Sequence, residues 1–388
     1  MDFELDETHK DLQASIRAFV NREIRPVARD WEHSGRYPTE IIATMRDLGL
    51  FGMTVPEEFG GQAYDLVAFS IVFEEISRAW MGIAGILGSH SLACWIIAHH
   101  GTEAQKRRYL PRLATGERRT GIALTEPGAG SDLQGIGTRA VLDGDHYVVN
   151  GTKTWITNAR HANPLPVLVK TDADASPPHR GMSLLLVDSD SDGFVVSRDL
   201  GKLGYKGPES CEVSLQDVRV PATDLLGGVE GRGLQQALSG LEIGRINVAS
   251  RAVGVAAEAL EQALAYSQLR HAFGQPISQF QAIQLKLADM ATETNAARLL
   301  TWWAASIADT GVRADTQTGM AKLFASEVAL KASLESMRIH GSYGYSTELD
   351  IERLYRDAPL MAIGEGTNDI LRTVIAKGLL AQASPKSA

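Results

Sequence analysis

The period of the hydrophobic residues changes twice along this chain, and few folds accommodate that. From about residue 5 to 118 apolar side chains recur at helical spacing, as Leu12, Ile16, Phe19 and Val20 in one segment and Leu66, Phe69, Ile71, Val72 and Ile76 in another. Gly60-Gly61 and Pro111 punctuate this region. From about 121 to 228 the period falls to two. Asp143-Gly144 and Asn150-Gly151 both read as hairpin turns, because these pairs tolerate positive φ. They bracket His146-Tyr147-Val148-Val149 and lead into Thr154-Trp155-Ile156-Thr157, while 166–169, 182–187 and 213–215 supply further short strands. Such a run predicts a small antiparallel β domain rather than βαβ units. After Gly227-Gly228 the helical period returns. Residues 281–309 place Ile283, Leu287, Met290 and Ala291 on one face, and Ala-rich stretches at 256–260 and 321–325 suit closely packed bundle helices. The tail from Ala381 to Ala388 is expected to fray. The reading is an α+β multidomain chain: 1–120 helical, 121–228 a β domain, 229–388 a helical bundle.

Charge and motifs remove several function classes. Thirty-eight basic residues against forty-seven acidic ones give a net charge of -9, where a nucleic-acid binder would carry a basic excess. Two cysteines, Cys94 and Cys211, exclude a disulfide framework and a multi-cysteine metal site. No Rossmann glycine fingerprint, P-loop or HExxH occurs, and His99-His100 would diverge from a helix, so no metal is expected. The acidic start, Met1 to Glu7, is unlike a targeting peptide. The apolar stretch Met81 to Ile97, broken by Gly82, Gly85, Gly88 and Ser89-His90-Ser91, falls short of a bilayer-spanning helix. These features predict a soluble, cytoplasmic enzyme with no nucleic-acid or membrane partner.

Two segments carry the chemistry. In Leu124-Thr125-Glu126-Pro127-Gly128-Ala129-Gly130-Ser131-Asp132, proline and two glycines force an open turn whose backbone N–H groups and hydroxyls suit an anion or a heteroaromatic edge. The same residues also fit an ordinary glycine-rich turn. Trp155 offers a ring face nearby, or a core tryptophan. In Met361-Ala362-Ile363-Gly364-Glu365-Gly366-Thr367-Asn368-Asp369, one carboxylate stands between two glycines ahead of an apolar helix. A desolvated Glu365 would titrate closer to neutrality, as a general base for a weak C–H acid must. A loop glutamate with Thr367 as helix N-cap fits equally well.

Taken in order, the motifs resemble the acyl-CoA dehydrogenase family across nearly the whole chain. They are Thr125 to Asp132, Trp155-Ile156-Thr157-Asn158, Asp217-Val218-Arg219-Val220-Pro221, Arg270-His271-Ala272-Phe273-Gly274, Gln281-Ala282-Ile283, Ile339 to Tyr345, Arg356-Asp357-Ala358 and Glu365-Gly366-Thr367. The resemblance implies the family fold: an N-terminal helical domain, a central antiparallel β-barrel or sandwich, and a C-terminal four-helix bundle. It implies FAD, with Leu124, Thr125, Gly130, Ser131, Trp155, Ile156 and Thr157 on the flavin, and Thr367 and Asp369 closing on it. In the family's homotetramer, a dimer of dimers, a neighbouring subunit holds the adenosine half. Arg270, Phe273, Gln281, Arg338, Gly341 and Ser342 occupy those positions. Glu365 matches the base, while Ser131, Glu242, Arg245 and Gly366 match substrate positions. The implied reaction is α,β-dehydrogenation of an acyl-CoA to a trans-2-enoyl-CoA, with an electron-transfer flavoprotein as acceptor. Relatives acting on carrier-protein thioesters, and acyl-CoA oxidases, are the rival readings.

Some positions depart from the family pattern. Gly244 stands where some members keep the base, which leaves Glu365 unopposed. Gly364 replaces a common tyrosine and predicts a wider acyl pocket for branched, cyclic or aryl groups. Ala272 and Arg338 replace a threonine and a glutamine, Arg338 being read as a pyrophosphate contact or a helix cap. Glu209 replaces a small residue and reads as a solvated surface charge, or else as a contact near the substrate mouth.

Overall fold

The computed structural model describes residues 4–383; the first three residues of the acidic start and the tail beyond Ala383 lie outside it. Ala381 to Ala383, expected to fray, belong to the last helix.

The N-terminal helices are α1 (Glu7–Phe19), α2 (Ala28–Ser34), α3 (Thr39–Asp47), α4 (Leu66–His100) and α5 (Glu103–Ala114). Side-chain caps fix where several begin. The Asp65 carboxylate accepts from Ala68 N at 2.7 Å, and Thr102 and Gln105 form a reciprocal capping box on α5. Pro111 does not break the chain as expected but lies within the last turn of α5. The helix α4 overturns another expectation. The glycines of 81–97 do not interrupt it, and it is the one helix among the described residues long and apolar enough to cross a membrane. Its most apolar window is 89% buried inside the protein, so it serves here as the core helix. Trp80 leaves helical geometry (φ -157, ψ 98) and kinks it. Glu74 and Glu75, buried in α4, pair with Arg298 at 2.8 Å and Arg17 at 2.6 Å. Removing Arg298 would leave the buried Glu74 charge uncompensated, at about 3–5 kcal/mol.

The middle region holds β1 (Arg139–Asp143), β2 (His146–Thr157), β3 (Leu165–Lys170), β4 (Met182–Val187), β5 (Phe194–Asp199) and β6 (Ser210–Pro221). They form one sheet in the order β4-β3-β1-β2-β6-β5. The turn at Gly144 joins β1 to β2 as a hairpin, with Asp143 opposite His146. Asn150-Gly151 is not a second turn. It lies inside β2 at a register shift against β6, where Asn150 and Asp217 exchange two hydrogen bonds of 2.9 Å. A Cβ on Gly151 would stand 2.3 Å from Thr138 Oγ1, so the glycine serves close packing and a bulge. The sheet is antiparallel except for β1 and β3, which run parallel.

The C-terminal helices are α6 (Gly233–Leu269), α7 (Gln281–Asp309), α8 (Asp315–His340), α9 (Ile351–Ile363) and α10 (Asn368–Ala383), with a short hairpin of β7 (His271–Ala272) and β8 (Gln275–Pro276) between α6 and α7. An alanine-rich core of Ala249, Ala252, Ala256, Ala321, Ala325 and Ala329 lets α6 and α8 pack closely. Against α4 the spacing is tighter still: a Cβ on Gly254 would meet Glu74 O at 2.3 Å.

Candidate active site

The loop between α9 and α10 carries Glu365 in a conformation its residue type disfavours. Glu365 has φ +55 and Gly366 φ +89, two successive left-handed positions. A non-glycine residue holds such a geometry only when its surroundings enforce it. Lys322 of α8, fully buried, does so by donating from Nζ to Gly366 O at 2.8 Å and to Asn368 Oδ1 at 3.0 Å. Thr367 accepts from Ile370 N at 3.3 Å, the N-cap role expected of it.

The strained turn directs the carboxylate inward although the residue is partly exposed. A Cβ on Gly244 of α6 would lie 2.6 Å from Glu365 Oε2, with Leu92 of α4 behind it. Burial raises the proton affinity of this carboxyl, and the charges of Arg251, Arg245 and Lys322 oppose the rise. Arg245 itself is buried and pairs through Nη1 with Asp315 Oδ1 at 2.8 Å. Glu242, one turn earlier, accepts from Ala314 N at 3.2 Å, and burial raises its pKa. Both side chains therefore grip the connection between α7 and α8. Glu242 and Asp315 line an open groove of ≈ 1010 Å³ together with Trp95, His99 and Arg313.

The glycine-rich turn and the end of β2 lie side by side, since Thr154 N donates to Thr125 O at 2.9 Å. Glu126 anchors the turn. It accepts from Lys153 Nζ at 2.7 Å and from Gly137 N at 2.6 Å, and although burial alone would raise it, Lys153 keeps its carboxyl below the usual range. Cβ atoms on Gly128 or Gly130 would meet nothing within 4 Å, and Gly130 and Ser131 are exposed. Trp155 is 56% exposed at φ +61, so it is not a core tryptophan. Thr157, two residues on, is half-buried, whereas the side chains of Leu124 and Ile156 pack into the core and leave only backbone for a ligand. An open turn with unfilled space beside an exposed indole and a threonine suits a planar, anion-bearing cofactor such as FAD.

The remaining predicted residues lie elsewhere. Arg270 ends α6, Phe273 sits on the β7–β8 hairpin at φ +50 and 97% exposed, Gln281 opens α7, and Arg338, Gly341 and Ser342 lie at the end of α8. All are exposed. Arg338 pairs with Glu335, one turn back on its own helix. Twenty-six residues of α6 separate Gly244 from Arg270, a span of about 40 Å. Asp369 is exposed in the first turn of α10 and pairs with Arg372 at 3.0 Å.

Glu209 is not a solvated surface charge. It is 4% exposed, both carboxylate oxygens are buried without a hydrogen-bond partner, and burial raises its pKa. His99 stacks on Trp95 at 3.9 Å, and His100 contacts Ser239 at 2.7 Å, so the pair diverges as expected. Lys322 and Arg251 escaped the sequence reading, because a lysine or arginine in an Ala-rich helix gives no sign of which face it occupies.

Models of the acyl-CoA dehydrogenase N-terminal, middle and C-terminal domains match residues 6–117, 121–218 and 231–380. The chain is 41% identical to the probable acyl-CoA dehydrogenase YngJ of Bacillus subtilis, covering 98% of this chain and 100% of that one. It is 40% identical to the 3-(aryl)acrylate reductase of Clostridium sporogenes, covering 96% and 99%. The solved structure of butyryl-CoA dehydrogenase from Megasphaera elsdenii superposes with a TM-score of 0.94 at 35% identity, covering 98% of this chain and 100% of that one.

Proposed function

This chain belongs to the acyl-CoA dehydrogenase family of FAD-dependent oxidoreductases, and from that premise we propose that Glu365 is the base that takes the α-proton of an acyl-CoA thioester. The observation that carries the proposal is a carboxylate held in a left-handed turn, buried against Gly244, with raised proton affinity. A thioester α-C–H is a poor acid, and a base poised nearer neutrality accepts its proton more readily than a solvated glutamate does.

Thr125, Gly130, Ser131, Trp155 and Thr157 would hold the flavin, which when bound supplies the acceptor for the β-hydride. The protein's own part is to place the thioester between that acceptor and Glu365 and to keep water out. The main-chain N–H of Glu365 faces the reacting carbonyl in this reading, and such a preorganised donor contributes about 3–4 kcal/mol where oxyanion charge develops. Lys322 and the Gly366 carbonyl fix the turn, so the base needs no reorganisation.

The length of α6 between Gly244 and Arg270, and the exposure of Arg270, Phe273, Gln281, Arg338, Gly341 and Ser342, support a homotetramer in which one subunit's exposed bundle end completes another's cofactor site. The product is the trans-2-enoyl thioester, and an electron-transfer flavoprotein would reoxidise the cofactor. Gly364 leaves room at the acyl end: a Cβ there would meet only the Leu360 carbonyl at 3.4 Å and its side chain at 3.9 Å. The space at Gly364 would therefore admit a branched or cyclic acyl group as well as a straight chain. Anaerobic titration with a panel of acyl-CoA thioesters tests the dehydrogenase reading. Bleaching of the flavin by at least one thioester is expected, and a fully loaded protein that no acyl-CoA bleaches would refute it.

A further inference from the structure

Asn247, Val248 and Arg251 lie three, four and seven residues beyond Gly244 on α6, so the four share one face of the helix. The first of them touches Glu365. The next polar residue, Asn247, is buried against Gly88 of α4, and its Oδ1 has no partner. Arg251 is 6% exposed, and its Nε has no partner. Its charge is the foremost of those that oppose the rise at Glu365, which puts the guanidinium within electrostatic reach of the base.

Arg251 is exceptional among the buried arginines of the described residues. Arg78 has Glu261, Arg245 has Asp315 and Arg353 has Asp350. Arg251 has no carboxylate within ion-pair distance among the described residues. Its neighbours are the sulfur of Met81 and the ring of Tyr205, whose centroid lies 5.1 Å away. Thr157 lies beside the Tyr205 hydroxyl and lowers its proton affinity, which places Arg251 next to the compartment bordered by the flavin-facing strand. A buried guanidinium with an unfilled donor is costly, and the cost is offset when an anion arrives.

We propose that the acyl compartment takes a thioester whose acyl chain carries a second, ionised carboxylate, seated on Arg251 with Asn247 beside it. The inference rests on the dehydrogenase reading and names the substrate class for that same site. Seven residues of α6 separate Gly244 from Arg251, about 10 Å along the axis. Mono-CoA thioesters of diacids of about four to six carbons match that reach. Arg251 also explains how an anionic acyl group is tolerated beside Glu365, since two unscreened carboxylates in one buried space repel. An uncharged acyl chain would leave the guanidinium buried and unpaired, and such sites reject the analogue that lacks the polar group.

The test uses the FAD-loaded enzyme under anaerobic conditions, with glutaryl-CoA and adipyl-CoA set against pentanoyl-CoA and hexanoyl-CoA. The wild type is expected to favour the carboxylate-bearing thioesters by at least about 100-fold in kcat/KM. R251Q is expected to lose most of that preference with its flavin content unchanged, and R251K to keep part of it. An equal or opposite preference in the wild type overturns the inference, whatever the variants do, and leaves the dehydrogenase reading intact. If neither series bleaches the flavin, the inference falls, and the dehydrogenase reading rests on the wider panel of branched and cyclic thioesters.

Discussion

Oε2 of Glu365 lies so close to Gly244 that a Cβ on residue 244 would stand 2.6 Å from it. The two residues come from different elements, one from α6 and one from the turn between α9 and α10. Glycine at 244 is thus the space into which the base folds. G244A should displace the carboxylate by about an ångström, keep the flavin, and lower kcat about 100-fold. Stopped-flow reduction kinetics check this, and a normal rate would show that Glu365 acts from elsewhere.

Lys322 is expected to be a positioning residue. It does not touch the reacting atoms in the proposed arrangement but holds Gly366 O and Asn368 Oδ1. K322M leaves the Gly366 carbonyl without its donor, at about 1–3 kcal/mol, while Asn368 Oδ1 keeps Ser326 Oγ. The predicted outcome is a lower melting temperature together with a fall in kcat larger than any change in KM. A variant as stable and as fast as wild type would remove Lys322 from the account.

The pH dependence follows from the direction of the shift at Glu365. Burial raises this carboxyl above its ordinary value of 4.5, against the opposing charges of Arg251, Arg245 and Lys322. The base must be ionised before it accepts a proton, so kcat/KM should fall on the acid side with a midpoint above that value. R251Q removes an opposing charge and should move the midpoint further upward. A midpoint at or below the ordinary glutamate value would contradict the burial argument.

Glu209 gives a stability prediction with a definite sign. Its folded-state pKa is raised above 4.5 by burial, so the folded protein holds this proton more tightly than the unfolded chain. Its contribution is fully present below the unfolded value and is lost as pH rises through the folded one. E209Q should therefore stabilise the protein at neutral pH and flatten that part of the profile. Urea titrations at several pH values check it, and unchanged pH dependence would refute it.

The order of helices, strands and helices was legible because hydrophobic period reports which faces are buried. The turn around Glu365 was legible because a carboxylate between glycines is a local signal. Other features depend on partners distant in sequence. The pairing of β1 with β3 and the bulge at Gly151 are set by neighbouring strands. The burial of Glu209, Lys322 and Arg251 follows from which helix face meets which neighbour. The glycines of α4 read as interruptions, yet Gly82, Gly85 and Gly88 lie where Lys206, Tyr205 and Asn247 approach too closely for a side chain.

The central claim is that one carboxylate, at position 365, removes the substrate's α-proton. E365Q keeps the size and the left-handed turn but cannot take up that proton. Anaerobic mixing of the loaded variant with a thioester that bleaches the wild type should leave the flavin spectrum oxidised, with reduction slowed by at least about 1,000-fold. Reduction at the wild-type rate would contradict the account.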